Sequence, residues 1–112
     1  MLETAEFRKG ILFLRLTGVI REIESKELNY YFKYLVEESG IKYIALNLSG
    51  LSSINKGGIA LLDQLDKKIK GNGGNLILCG ASDRLGGKIR KNSLFNICSS
   101  TSELNVFNMI NI

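Results

Sequence analysis

The apolar positions of this chain fall into short strand-length runs and longer stripes of helical period. ILFLRLT (11–17) is the first run, and TAEFR just before it is expected to be its hairpin partner across a Lys9-Gly10 turn. Gly18 opens a polar link, VIREIES, after which Leu28, Tyr31, Phe32, Leu35 and Val36 recur at i, i+3, i+4, i+7 and i+8. That spacing predicts a helix with one apolar face, capped by Ser25 and ended by Gly40. KYIALNL (42–48) is rich in aliphatic residues and predicts a central strand. Ile59, Leu62, Leu65 and Ile69 predict a second helix over 57–71, with Asp63, Asp66, Lys67 and Lys70 on its outer face. It stops at Gly71-Asn72-Gly73-Gly74, and NLILCG (75–80) reads as the next strand. SDRLGGKIRKNSLF predicts a short, glycine-weakened helix with Leu85 and Ile89 inward. FNIC (95–98) predicts a short last strand. SELNVFNMI (102–110) predicts a final helix capped by Ser102, with Leu104, Phe107 and Ile110 inward.

Beyond the first hairpin, strand and helix alternate. Right-handed crossovers then imply an α/β fold: a mixed, mostly parallel β-sheet with an N-terminal antiparallel strand and about four helices. With 112 residues, 45% of them hydrophobic, the chain is expected to be one domain over 1–112, its helices covering one sheet face better than the other.

Charge and composition narrow the chemistry. The formal charge of +4 is scattered, and its tightest groups are Lys88, Arg90 and Lys91, and Lys67, Lys68 and Lys70. Nucleic-acid binding wants a concentrated basic stripe with stacking aromatics, which argues against it here. Histidine is absent, so the commonest general base and metal ligand are missing. Cys79 and Cys98 lack CxxC spacing, and Cys79 lies in an apolar run that suits a buried reduced thiol. Glu22, Glu24 and Glu27 gather before the first helix without a nucleophile beside them. No catalytic set, metal or cofactor is expected, hence no enzyme. MLETAEFRKG is no signal peptide and no apolar run spans a membrane, so a cytoplasmic protein without membrane insertion is expected.

One segment stands out: LSSINKGGIAL (51–61), read as a loop between the central strand and the second helix. Its candidate binding residues are Ser52, Ser53, Asn55, Lys56, Gly57 and Gly58. A P-loop fails here, because Asn55 stands where a glycine belongs and Gly57 where a Ser or Thr hydroxyl holds Mg²⁺. The positive end of the helix and Lys56 still favour an anion. The competing reading is that Gly57-Gly58 serve only a tight turn. The glycines of 71–74 follow a helix and precede a strand, the reverse of a phosphate loop, so they read as a C-cap and turn.

Taken together, LFLRLTG (12–18), IKYIALNLSGLSSI (41–54), GIALLDQL (58–65), GNGGNLILCGAS (71–82) and LFNI (94–97) make the chain resemble the STAS domain of bacterial anti-sigma factor antagonists. The resemblance runs over nearly the whole chain. It implies a non-enzymatic interaction module whose partner is an anti-sigma factor acting as kinase, or another regulatory protein, and it leaves a homodimer open. In antagonist members a serine at the start of this helix is phosphorylated, which disrupts docking. Carried across, Asn55 falls on the family's aspartate, Gly57 on the phosphoacceptor serine and Gly58 on the glycine. Gly57 has no hydroxyl, and Gly18-Val19-Ile20-Arg21 lacks an acid often found there. The resemblance thus implies partner docking through 52–58, the exposed face of the 57–71 helix and the 19–24 link, without regulation at the usual serine. Two other readings stand beside it. One is a sensor of an anionic small ligand or nucleotide; the other is an accessory STAS subunit of an ABC lipid-transport system.

Overall fold

The computed structural model describes residues 2–92, 98–100 and 102–109. Strands β1 (Leu2–Arg8) and β2 (Ile11–Ile20) form the antiparallel hairpin. Lys9 and Gly10 both take positive φ, 50° and 84°, as a two-residue hairpin turn requires. Helix α1 (Glu22–Lys33) runs on into a π-helical turn at Tyr34–Glu38, followed by β3 (Tyr43–Ile54), α2 (Lys56–Gly71) and β4 (Asn75–Cys79). Helix α3 (Asp83–Asn92), β5 (Cys98–Ser100) and α4 (Glu103–Met109) complete the order. The sheet runs β1-β2-β3-β4-β5, antiparallel at β1–β2 and parallel thereafter. The expected α/β fold with its antiparallel first strand is what is found.

Because each parallel step moves one strand in the same direction, right-handed crossovers place α1, α2 and α3 on a single face. Leu12, Leu14 and Leu16 of β2, Ile44, Leu46 and Leu48 of β3, and Leu76 and Leu78 of β4 point to that face. There they meet Leu28 and Phe32, Ile59, Leu62, Leu65 and Ile69, and Leu85 and Ile89. The alternate residues Ile11, Phe13, Ala45, Ile77 and Cys79 face the other way, under Val106 of α4. The rings of Phe13 and Phe107 lie 5.5 Å apart, with the Arg8 guanidinium 4.1 Å above Phe13. Burial pushes the Cys79 thiol up to about 11, so it is protonated and inert at neutral pH.

Several local expectations need correction. The first helix is capped at Arg21, not Ser25: Glu24 reaches back to accept the Arg21 backbone N–H at 2.9 Å, and the helix therefore starts at Glu22. Val19 and Ile20, expected in a link, continue β2. Asp66 is buried rather than solvated, its carboxylate 3.0 Å from Lys70 Nζ. It sits four residues after Leu62, on the core stripe that its polarity disguised. Leu104 is 73% exposed, while Val106 is fully buried. Glu103 turns toward the sheet, and the residues sharing its face at i+3 and i+4 are Val106 and Phe107. Of the expected last strand 95–98, only Cys98 lies within the described residues, as does none of Ile110.

Candidate functional site

The predicted loop at 51–54 is strand. After Arg15 the β2–β3 register slips, and the pairing resumes as Thr17–Gly50, Gly18–Leu51, Val19–Ser53 and Ile20–Ile54. Gly50 permits this: a Cβ there would lie 2.7 Å from Thr17 Cγ2 and 3.2 Å from the Leu16 carbonyl. Ser52 and Ser53 therefore sit on the end of β3, Ser52 exposed and Ser53 half-buried opposite Val19. The true turn is one residue long.

That residue is Asn55. Its backbone N–H donates to the Ile20 carbonyl at 3.0 Å, tying the turn to the end of β2. Its extended backbone (φ −82°, ψ 172°) makes it the N-cap of α2, and its Oδ1 accepts the Gly58 N–H at 2.7 Å. The cap thus occupies one of the free N–H groups that made this helix start attractive to an anion. Lys56 and Gly57 remain, both exposed.

The two glycines do different jobs, and neither supplies a positive φ. A Cβ on Gly58 would lie 2.7 Å from Ile54 Cγ1 and 3.0 Å from Ile20 Cγ2, so packing of the helix onto the strand ends demands glycine there. A Cβ on Gly57 would meet nothing nearer than Asn55 Oδ1 at 3.6 Å. Position 57 is sterically open. The tight-turn reading thus fails for both, and only Gly58 has a structural reason. Gly58→Ala is expected to lower stability by about 1–3 kcal/mol. Gly57→Ala should raise it by up to about 1 kcal/mol through helix propensity. Urea titration of the pair checks the contrast.

Two flanks frame the turn. On one side α1 begins with Glu22 and Glu24, and the Arg21 side chain holds the Glu24 carboxyl below the usual carboxylate range. The exposed side chains Val19 and Ile23 lie beside them. A groove of about 230 Å³ runs between α1 and α2, with Glu22, Lys26, Asn55 and Gly57 among its walls. Lys56 is not one of them. On the other side α3 leans in: Arg84 Nη2 donates to the Ser52 carbonyl at 2.9 Å, and Lys88 Nζ to that of Ile54. Sequence reasoning missed both, although their i, i+4 spacing marks a common face. Among the described residues, no three histidine, cysteine or carboxylate side chains gather into a metal site, and no helix is long and apolar enough to cross a membrane.

The family model of the STAS domain matches residues 4–109, a span that includes every strand from β2 to β5, the Asn55 turn and α2. The chain belongs to the STAS domain family. Solved structures agree at the level of fold. The anti-sigma factor antagonist SpoIIAA in its unphosphorylated form has a TM-score of 0.77 at 17% identity, with 95% of this chain and 94% of that one covered. The Bacillus cell fate determinant SpoIIAA in its phosphorylated form gives 0.75 at 16%, covering 96% and 98%. A putative anti-sigma factor antagonist from Thermotoga maritima gives 0.83 at 14%, covering 96% and 92%. This STAS domain thus resembles anti-sigma factor antagonists in fold, one of which exists in both phosphorylation states.

Proposed function

We propose that this STAS domain is a non-enzymatic regulatory module that docks a partner protein through the end of β3, the Asn55 turn, the exposed face of α2 and the start of α1. The partner is an anti-sigma-factor-type kinase or another regulatory protein. The module works without a phosphoserine switch at the start of α2. The observation that carries the reading is the contrast between the two glycines. Gly58 answers to packing, whereas Gly57 stands exposed at an open position where a serine would fit. The missing hydroxyl is therefore a property of the sequence rather than a demand of the fold. An exposed, rigidly capped helix start with no side chain at its second position offers a flat contact surface. Such a surface is sensitive to any group added there.

The small-ligand reading is less well supported. The groove nearest Gly57 has Glu22 in its wall and not Lys56, which suits an anion poorly, and the Asn55 cap has already taken the Gly58 N–H.

Gly57→Asp tests the docking site. An acid in the first turn complements the helix dipole, and replacing a glycine adds helix propensity, so the variant should be more stable by about 1 kcal/mol. The same charge should abolish docking, as a phosphate would. Thermal unfolding and co-purification of a partner with wild-type, Gly57→Asp and Lys56→Glu chains check the two halves. A partner retained undiminished by both variants would sink the proposed surface.

A further inference from the structure

The face of α3 that meets this turn is basic throughout. Arg84, Lys88 and Lys91 recur at i, i+4 and i+7, and all three are exposed, while the neighbouring face holds Leu85 and Ile89 in the core. Helical rise spreads them over about 10 Å, the length of three residues of extended chain. Arg84 and Lys88 are anchored on the Ser52 and Ile54 carbonyls, which aims the ridge across the end of β3 toward exposed Lys56. The Ser52 carbonyl orients Arg84 without cancelling its charge. Among the described residues neither Arg84 nor Lys56 forms an ion pair. No acid occurs between residues 49 and 58, and the one acid of α3, Asp83, precedes the ridge. On the opposite flank, at the start of α1, Glu22 and Glu24 are each paired with a cation, Lys26 and Arg21, so that side carries no comparable positive excess. The docking site is therefore polarised across its width, positive on the α3 side.

We propose that Lys56, Arg84, Lys88 and Lys91 form a docking ridge for an acidic segment of the partner protein. The inference rests on the docking reading above and adds the chemistry of the partner and the direction in which it lies. A polarised site fixes orientation and speeds encounter, and both effects weaken with salt. A protein segment is favoured over nucleic acid because the ridge is short and carries no exposed aromatic side chain among its residues.

The test is an NMR titration of the isotope-labelled chain with a synthetic glutamate-rich peptide at low and high salt. Its lysine counterpart, an oligothymidylate and inorganic phosphate serve as competing probes. The glutamate peptide is expected to perturb amides at 52–58 and 84–91, with affinity falling about tenfold in the R84E/K88E variant. Arg84→Gln and Lys88→Gln keep the fold intact should charge reversal disturb it, and are expected to give a smaller loss in the same direction. The proposal is overturned if the glutamate peptide leaves those amides unmoved, or if R84E/K88E binds it as wild type does. Tighter binding of the oligonucleotide or phosphate at the same residues also overturns it. A partner that is lost with Gly57→Asp yet retained by R84E/K88E overturns the ridge alone and leaves the docking site standing. Retention by both removes the two together.

Discussion

Replacing Glu103 with alanine is expected to cost about 2–3 kcal/mol and to loosen α4 from the sheet. Glu103 accepts from Arg15 at 2.8 and 2.7 Å, from Arg8 at 2.8 Å and from Asn47 at 2.8 Å, so one carboxylate ties α4 to β1, β2 and β3. Among the described residues, removal leaves Arg15 with only its β1 partners, Glu6 and Thr4, and leaves the Asn47 amide without this acceptor. Charged groups stripped of a partner in a half-buried setting are what make such truncations expensive. The Arg15 hydrogen bonds hold the Glu103 carboxyl below the usual carboxylate range, and burial opposes them only in part. The sign of the pH dependence follows. A depressed pKa stabilises the fold above the carboxylate's ordinary value and loses that contribution as pH falls through the folded-state value. The difference in urea midpoint between wild type and Glu103→Gln should therefore be constant near neutrality and shrink in acid. A difference that grows on acidification would refute the latch. Since α4 alone among the described helices packs on Phe13 and Ile77, its release should also speed exchange of the β2 and β4 amides.

None of this latch was visible in the sequence, and the reason is physical. Glu103 lies 88 residues from Arg15 and 56 from Asn47, and no periodicity links them. What the pattern does carry is local: the stripe Leu28–Phe32–Leu35–Val36 and the stripe Ile59–Leu62–Leu65–Ile69 both packed as spaced. The misreadings have one origin, the use of residue type where position decides. Asp66 looked solvated because it is acidic, yet its place on the α2 stripe buries it. The central strand was expected over 42–48, ending before Ser49 and Gly50. Here the glycine lets β3 pass close to β2 and run on to Ile54. Ser25 looked like a cap, but Glu24 made one earlier from the backbone of Arg21.

The candidate site was legible in the same partial way. Asn55 through Gly58 could be located from the order of elements, because a strand end followed by a helix start is a local signal. What their side chains do there was not, since it depends on Ile20 and α3, which only the fold brings to the turn, and on how the Ile54 side chain packs against Gly58. The distinction between Gly57 and Gly58 is the clearest case. The letters are identical and adjacent, and only the nearness of two isoleucine side chains separates a required glycine from a free one.

The glycines at the opposite end of α2 give the second large effect: Gly74→Ala is expected to cost about 3 kcal/mol, whereas Gly71→Ala should be neutral or slightly stabilising. The helix ends in a Schellman motif, with the Gly74 N–H donating to the Ile69 carbonyl at 2.9 Å and the Gly73 N–H to that of Lys70 at 3.0 Å. Gly73 carries the left-handed φ of +80°. Gly74 is needed for another reason. A Cβ there would fall 1.8 Å from the Lys42 carbonyl oxygen and 2.6 Å from its carbon, which are main-chain atoms without a rotamer to escape into. That same carbonyl accepts the Asn75 N–H at 2.9 Å, the bond that starts the β3–β4 ladder in its Tyr43–Asn75 register. An alanine must therefore push β4 away from β3 where the pairing begins, and the strain reaches every pair up to Asn47–Cys79. At Gly71 a Cβ meets nothing within 4 Å, so that variant reports the helix propensity alone. Urea midpoints of the two variants, measured side by side, decide the matter. Equal midpoints would mean that the approach of Gly74 to Lys42 sets neither the register nor the end of α2.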